Sequence, residues 1–135
     1  MKYTACFVFV ILFVDATAAC TIEISTVKTN AVYGRVIDEM KASIPNARIR
    51  IFKSAESNDP LAETTSDENG RFEIKNFPAG VYIIRANAEN FAYTTSFLKL
   101  KKSSSKVKKR EMVFTLVPSP ACSGWVEMQK IQKSK

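Results

Sequence analysis

The chain has 135 residues and a formal net charge of +7, and this length fits one globular domain that can fold without a metal or many disulfides. It contains no histidine, which excludes Ser-His-Asp and Cys-His catalysis and every zinc site with a histidine ligand. Neither a glycine-rich phosphate loop nor a complete calcium loop is present. The sequence therefore predicts no catalytic residue, no cofactor and no metal.

The N-terminus has the pattern of a secretory signal peptide. Lys2 is followed by an apolar run over residues 5–14 and by small residues over 16–19. The run is too short to cross a bilayer as a helix, which needs about 20 residues. A buried N-terminal strand is the alternative. We predict a signal peptide over 1–19, a β-sandwich domain over 20–118 and a C-terminal extension with a basic tail over 119–135, in a secreted or periplasmic protein.

Cleavage near Ala18 or Ala19 would remove Cys6 and leave Cys20 and Cys122 near the two ends of the exported chain. In an oxidising compartment such a pair favours a disulfide. A lipid anchor on Cys20 is the second interpretation, although Thr17 stands where bacterial lipoprotein signals usually have leucine. Two free thiols are the third.

Apolar and polar residues alternate with a period of two along most of the exported chain, which indicates β-strands. The first candidate places Ile22, Ile24 and Thr26 on one face. Strands are predicted over residues 21–27, 35–40, 48–51, 71–75, 81–86, 93–100 and 112–117. The best candidate for a helix is the short amphipathic segment 126–133.

The connections between these strands have the composition of turns. Residues 66–70 and 76–80 combine Asp, Asn, Gly and Pro, which start turns through side-chain hydrogen bonds or accept restricted backbone angles. Short strands at this spacing, without helices between them, are typical of sandwiches and barrels. We therefore expect an all-β fold, an antiparallel Greek-key sandwich of about seven strands.

Four motifs occur in order: G-x-V-x-D at 34–38, I-P-N-A-R-I at 44–49, T-x-D-x-N-G-R-F at 65–72 and F-P-A-G-x-Y at 77–82. Together they resemble the carboxypeptidase regulatory-like domain, over roughly residues 33–116. The resemblance implies a transthyretin-like (prealbumin-like) sandwich that accompanies enzymes without being catalytic itself. One departure is the first turn, where family members often have glycine and this chain has Met40, Lys41 and Ala42.

The matching positions are expected to stabilise the fold rather than carry chemistry. They are Gly34, Asp38, Pro45, Ala47, Asp67, Asn69, Gly70, Phe72, Pro78, Gly80 and Tyr82. Asp38 is expected to accept backbone N–H groups of the following turn, and Tyr82 to bury its ring and keep its hydroxyl at a polar edge.

Basic residues crowd around three consecutive serines at 103–105, and we predict an anionic-surface site there. They are Lys99, Lys101, Lys102, Lys106, Lys108, Lys109 and Arg110. Such a cluster attracts anionic polysaccharide or lipid head groups. A solvated loop whose lysines prevent edge pairing is the alternative. Nucleic acid is disfavoured because the nearest aromatic residues, Tyr93 and Phe97, precede the cluster.

Three function classes follow. The first is an exported non-catalytic module that binds or scaffolds an anionic envelope surface, a polysaccharide or another envelope protein. The second is a transthyretin-like oligomeric carrier of a small ligand, and the third is a transthyretin-related hydrolase, disfavoured because those enzymes use histidines. Carbohydrate binding would need exposed aromatic rings, but we expect Tyr93 and Phe97 in the core and Trp125 as a lid over one end.

Overall fold

The computed structural model describes residues 24–102, 110–120 and 123–131. Within these residues the chain forms nine strands in two sheets that pack face to face. The strands are β1 Ser25–Thr29, β2 Val32–Asp38, β3 Arg48–Phe52, β4 Ala62–Thr65, β5 Arg71–Ile74, β6 Gly80–Asn87, β7 Thr94–Leu100, β8 Arg110–Leu116 and β9 Trp125–Lys130. The predicted signal peptide, Cys20, Cys122, Lys106, Lys108 and Lys109 lie outside the described residues.

One sheet has the strand order β1-β7-β6-β3-β4, and the other has the order β5-β2-β8-β9. The predicted sandwich is confirmed, but the predicted number of strands and their purely antiparallel pairing are wrong. β1 pairs with β7 in parallel, and β2 pairs with β8 in parallel, so both sheets are mixed. Parallel neighbours need long connections, and here the intervening chain passes through the opposite sheet.

The core lies between the sheets and is built from inward-facing residues of both. Val36, Ile49, Phe72, Tyr82 and Leu116 are buried, and Ile74 is half-buried against them. The Phe72 and Phe114 rings meet edge to face, with centroids 5.7 Å apart and an interplanar angle of 63°. This is a favoured aromatic geometry, and it joins β5 to β8 across the interior of the four-stranded sheet.

Aspartates organise two of the tight turns. The Asp38 Oδ1 atom accepts a hydrogen bond from the Ala42 N–H at 2.8 Å, in a turn where Lys41 has a φ of 67°. The Asp67 Oδ1 atom accepts from the N–H groups of Asn69 and Arg71, both at 2.9 Å. Gly70 completes that turn with a φ of 72°, a value that costs glycine nothing.

A buried hydroxyl ties the 44–47 segment to the end of β4. Ser66 Oγ donates to the Ile44 carbonyl at 2.7 Å and accepts from the Ala47 N–H at 2.9 Å. Pro45 is exposed within this segment, whereas Ala47 is fully buried. Both backbone groups would otherwise be unsatisfied in the interior, so this single side chain stabilises the entry to β3.

Two strands, β4 and β9, were not predicted. Both are edge strands with few fully buried side chains, so their apolar alternation is weak. The described part of the helix candidate at 126–133 is not helical, because residues up to Lys130 pair antiparallel with β8 and Val126 enters the core. A helix of eight residues has little stability of its own, whereas the strand gains a full ladder.

The predicted alternation of the first strand is also wrong. Val27 and Thr29 are buried, whereas Ile24 is 44 % exposed and Thr26 faces solvent. The parallel register with β7 places Val27 opposite Leu98, which fixes the inward face. A shift of one residue reverses the faces of a strand, and a sequence with apolar residues in both phases does not decide between them.

Gly34 permits the close approach of β2 and β8. A Cβ atom at this position would lie 1.9 Å from the Met112 carbonyl oxygen, which is backbone and cannot move aside. We expect Gly34→Ala to lower the free energy of unfolding by at least about 2 kcal/mol, measured by urea denaturation. Thr65→Ala, at an exposed position of β4, is the control and should change stability by less than about 0.5 kcal/mol. Equal effects of the two substitutions would contradict the steric account.

Candidate functional site

Part of the predicted basic cluster lies at one end of the sandwich. Lys99 is the second-last residue of β7, Lys101 and Lys102 follow the strand, and Arg110 begins β8. All four side chains are exposed. The segment between β7 and β8 joins the two sheets, so these charges are anchored on both of them.

The fold adds two cations that the sequence did not connect with the cluster. Lys28 pairs with Lys99 in the β1–β7 ladder, and Lys130 pairs with Arg110 in the β8–β9 ladder. The Lys101 N–H donates to the Thr29 carbonyl at 2.8 Å, which fixes the exit of β7 beside the end of β1. We call these six residues the basic end: Lys28, Lys99, Lys101, Lys102, Arg110 and Lys130.

The cations of the basic end have no ion pair with a carboxylate of a described residue. The ion pairs in this part of the chain join Arg35 to Glu111 at 2.9 Å, Arg48 to Glu63 at 3.6 Å and Lys75 to Glu73 at 3.9 Å. Like charges directly opposite in a ladder repel each other. The basic end therefore has an unneutralised positive field that favours an anionic partner.

A concavity of about 960 Å³ lies on the outer face of the four-stranded sheet. Its lining includes Tyr33, Arg35, Arg71, Glu73 and Glu111. The Arg35 Nε atom donates to Glu111 Oε1, so the principal charges of this surface neutralise each other. Burial raises the pKa of the Tyr33 hydroxyl, and the nearby Glu111 carboxylate raises it further. This concavity has no clear preference for one sign of ligand charge.

The aromatic residues considered for carbohydrate binding are on the surface. Tyr93 is 58 % exposed and Phe97 is 41 % exposed, so their predicted place in the core is wrong. The inward positions of β7 include the small polar residues Thr94 and Ser96, whose hydroxyls are satisfied by Gly124 N–H and the Ser25 carbonyl. Trp125 is 46 % exposed and alternates with the buried Val126 on β9, so it faces outward from the four-stranded sheet.

A pair of arginines was missed by the sequence analysis. Arg50 on β3 stands directly opposite Arg85 on β6, and both face outward from the five-stranded sheet. They are far apart in the chain, and each is one of the polar residues that alternate with apolar residues along its strand. The sequence alone therefore does not indicate that the two side chains are neighbours. Only the pairing of β3 with β6 brings the two charges together.

Most positions expected to stabilise the fold lie in or beside the connections between strands, and Tyr82 is one example. The Tyr82 hydroxyl donates to the Pro78 carbonyl at 3.1 Å, and the Tyr82 ring meets the Phe77 ring edge to face with centroids 5.0 Å apart. Gly80 begins β6 so close to this ring that a Cβ would lie 2.8 Å from the Tyr82 hydroxyl oxygen.

Within residues 24–102, 110–120 and 123–131, no three acidic or cysteine side chains come together as a metal site would require. The same residues contain no helix that is long and apolar enough to span a membrane.

The family model of the carboxypeptidase regulatory-like domain matches residues 31–110. The chain belongs to this family. Regulatory-like domains are transthyretin-like β-sandwiches and are typically non-catalytic modules. The matched range runs from the start of β2 to the start of β8, so β1 and β9 lie beyond it. No curated protein sequence matches the chain.

The raised pKa of Tyr33 predicts a specific loss of stability in alkali. The folded domain favours the neutral Tyr33 hydroxyl. The contribution of this group to the free energy of unfolding is therefore complete below a pH of about 10, and it is lost as the pH rises through the higher pKa of the folded state. We expect Tyr33→Phe to make the free energy of unfolding fall less steeply above this pH, measured by urea denaturation at several pH values. The two proteins should have parallel pH profiles below pH 8, and parallel profiles throughout would contradict the assignment.

Proposed function

We propose that this regulatory-like domain is an exported, non-catalytic binding module whose basic end holds an anionic polymer or surface. The observation that carries the proposal is the convergence of six exposed cations from four strands and one connection, without ion pairs to carboxylates of described residues. The export of the chain rests on its N-terminal signal pattern.

The distribution of these cations disfavours the alternative of edge protection. Lysines that prevent edge pairing belong on edge strands, which here include β1 and β9. Lys99 and Arg110 lie instead on β7 and β8, and each of these strands has a neighbour on both sides. Protection of an edge gives no reason for a charge at either position, whereas binding of an extended polyanion does.

The chemistry shared by the candidate partners is a dense row of negative charges. Acidic polysaccharide and anionic lipid head groups both present one, and both would bind through long-range attraction that weakens as salt screens it. Single-stranded nucleic acid is disfavoured because base stacking needs aromatic rings among the cations. Phe97 lies two positions from Lys99 on the same face, but no aromatic residue lies within two positions of any of the other five cations.

The proposal predicts a loss of retention when the basic end is reversed in charge. The purified protein is applied to immobilised acidic polysaccharide and, separately, mixed with vesicles containing anionic lipid. The double variant Lys99→Glu and Lys101→Glu should dissociate from both the polysaccharide and the vesicles at markedly lower salt than the wild type, because two attractive charges become repulsive. The class of partner is the one for which the variant loses more binding.

The matched control is the double variant Lys41→Glu and Arg48→Glu. Both residues are exposed, Lys41 lies in the turn after β2 and Arg48 lies opposite Asn87 at the far end of β6, and the change in net charge is the same. Elution of the control near the wild-type salt concentration would support a localised site. Equal loss in both variants, or no loss in either, would contradict the proposal.

A further inference from the structure

We propose that Arg50 and Arg85 form a pocket for the carboxylate of an acidic sugar, such as a uronic acid, on the outer face of the five-stranded sheet. The inference goes beyond the basic end and does not depend on it. The pocket is a concavity of about 460 Å³, lined by Arg50, Phe52, Asn58, Arg85, Tyr93 and Thr95.

The two guanidinium groups are held in place by contacts that leave donors free. The Arg85 guanidinium lies 4.6 Å from the centroid of the Phe52 ring, and that of Arg50 lies 5.7 Å from the same centroid. Arg85 Nη2 donates to the Ala55 carbonyl at 2.7 Å, and Arg50 Nη2 donates to Asn87 Oδ1 at 3.2 Å. Each arginine has five N–H donors, so after these contacts each guanidinium group still has N–H donors for a ligand, and its position is fixed.

The fold holds the two arginines next to each other although their like charges repel. Arg50 and Arg85 are directly opposite in the antiparallel β3–β6 ladder, an arrangement that destabilises a sheet when the charges are alike. On its other side Arg50 is opposite Glu63, but the Glu63 carboxylate is paired with Arg48 at 3.6 Å. No carboxylate of a described residue forms an ion pair with Arg50 or Arg85. A bound anion would relieve this repulsion.

A carboxylate suits the pair because its two oxygens match the planar fork of a guanidinium group. The surroundings favour a sugar as its carrier. Phe52 is only 2 % exposed beneath the arginines, so the pocket offers little of the apolar wall that a hydrophobic ligand needs. Asn58 and Thr95 can exchange hydrogen bonds with sugar hydroxyls, and the exposed Tyr93 ring can cover the C–H face of a sugar ring.

The test compares two disaccharides by isothermal titration at physiological salt. Digalacturonate carries carboxylates, and neutral galactobiose has the same ring hydroxyl pattern without them. We expect measurable binding of digalacturonate only. Arg85→Gln should weaken it about tenfold or more, since a charged hydrogen-bonded partner is lost. Arg85→Lys should also weaken it, because the ammonium keeps the charge but lacks the fork.

Arg71→Gln is the matched control, since it makes the same chemical change at an exposed arginine on β5, in the opposite sheet. It should bind digalacturonate as the wild type does. The Lys99→Glu and Lys101→Glu variant should do so too, which separates failure of the pocket from failure of the basic end. Circular dichroism spectra verify that the variants are folded.

Equal binding of the two disaccharides, or equal losses in Arg71→Gln and Arg85→Gln, would overturn the inference. Full binding by Arg85→Lys would also overturn the fork geometry on which it rests.

Discussion

The contact between β2 and β8 is the constraint on which the rest of the sandwich depends. These strands run in parallel at the middle of the four-stranded sheet, and Gly34 leaves no side chain between their backbones. Their inward residues Val36, Phe114 and Leu116 are fully buried. Because a parallel pair cannot be closed by a hairpin, β8 reaches this place only after all five strands of the opposite sheet have passed in the chain. The sandwich therefore closes late in the chain.

The proposed binding surfaces use positions that do not contribute to the core. Each strand gives one face to the interior, and the other face is free to vary without loss of buried area. On β7 the buried face includes Ser96 and Leu98, whereas Lys99 and Phe97 face solvent. On β3 the buried Ile49 and Ile51 flank Arg50. This division allows a non-catalytic module to acquire a binding surface while its fold stays unchanged, which is how loops and outer faces on rigid scaffolds usually gain function.

Local signals in the sequence were sufficient for much of the fold. The alternation of Arg48 to Ile51 and the acidic turn residue Asp67 each act within a few residues, so the strand and the turn were predictable. Register is different, since it is set by contacts between distant segments. The inward phase of β1, the edge strands β4 and β9, and the surface position of Tyr93 all depend on which strand lies alongside. The same holds for the meeting of Lys28 with Lys99 and of Arg50 with Arg85, so the candidate sites were only partly visible.

The opposed cations have a consequence for how ions act on this domain. Arg50 with Arg85, Lys28 with Lys99, and Arg110 with Lys130 are each cross-strand partners of like charge. Directly opposite Cβ atoms are about 5 Å apart, less than the Debye length of about 8 Å at an ionic strength of about 0.15 M, so added electrolyte weakens these repulsions in part and makes the unliganded domain somewhat harder to melt. The same electrolyte competes for any polyanion. A higher ionic strength should thus raise the melting temperature of the domain and weaken its binding to any polyanion.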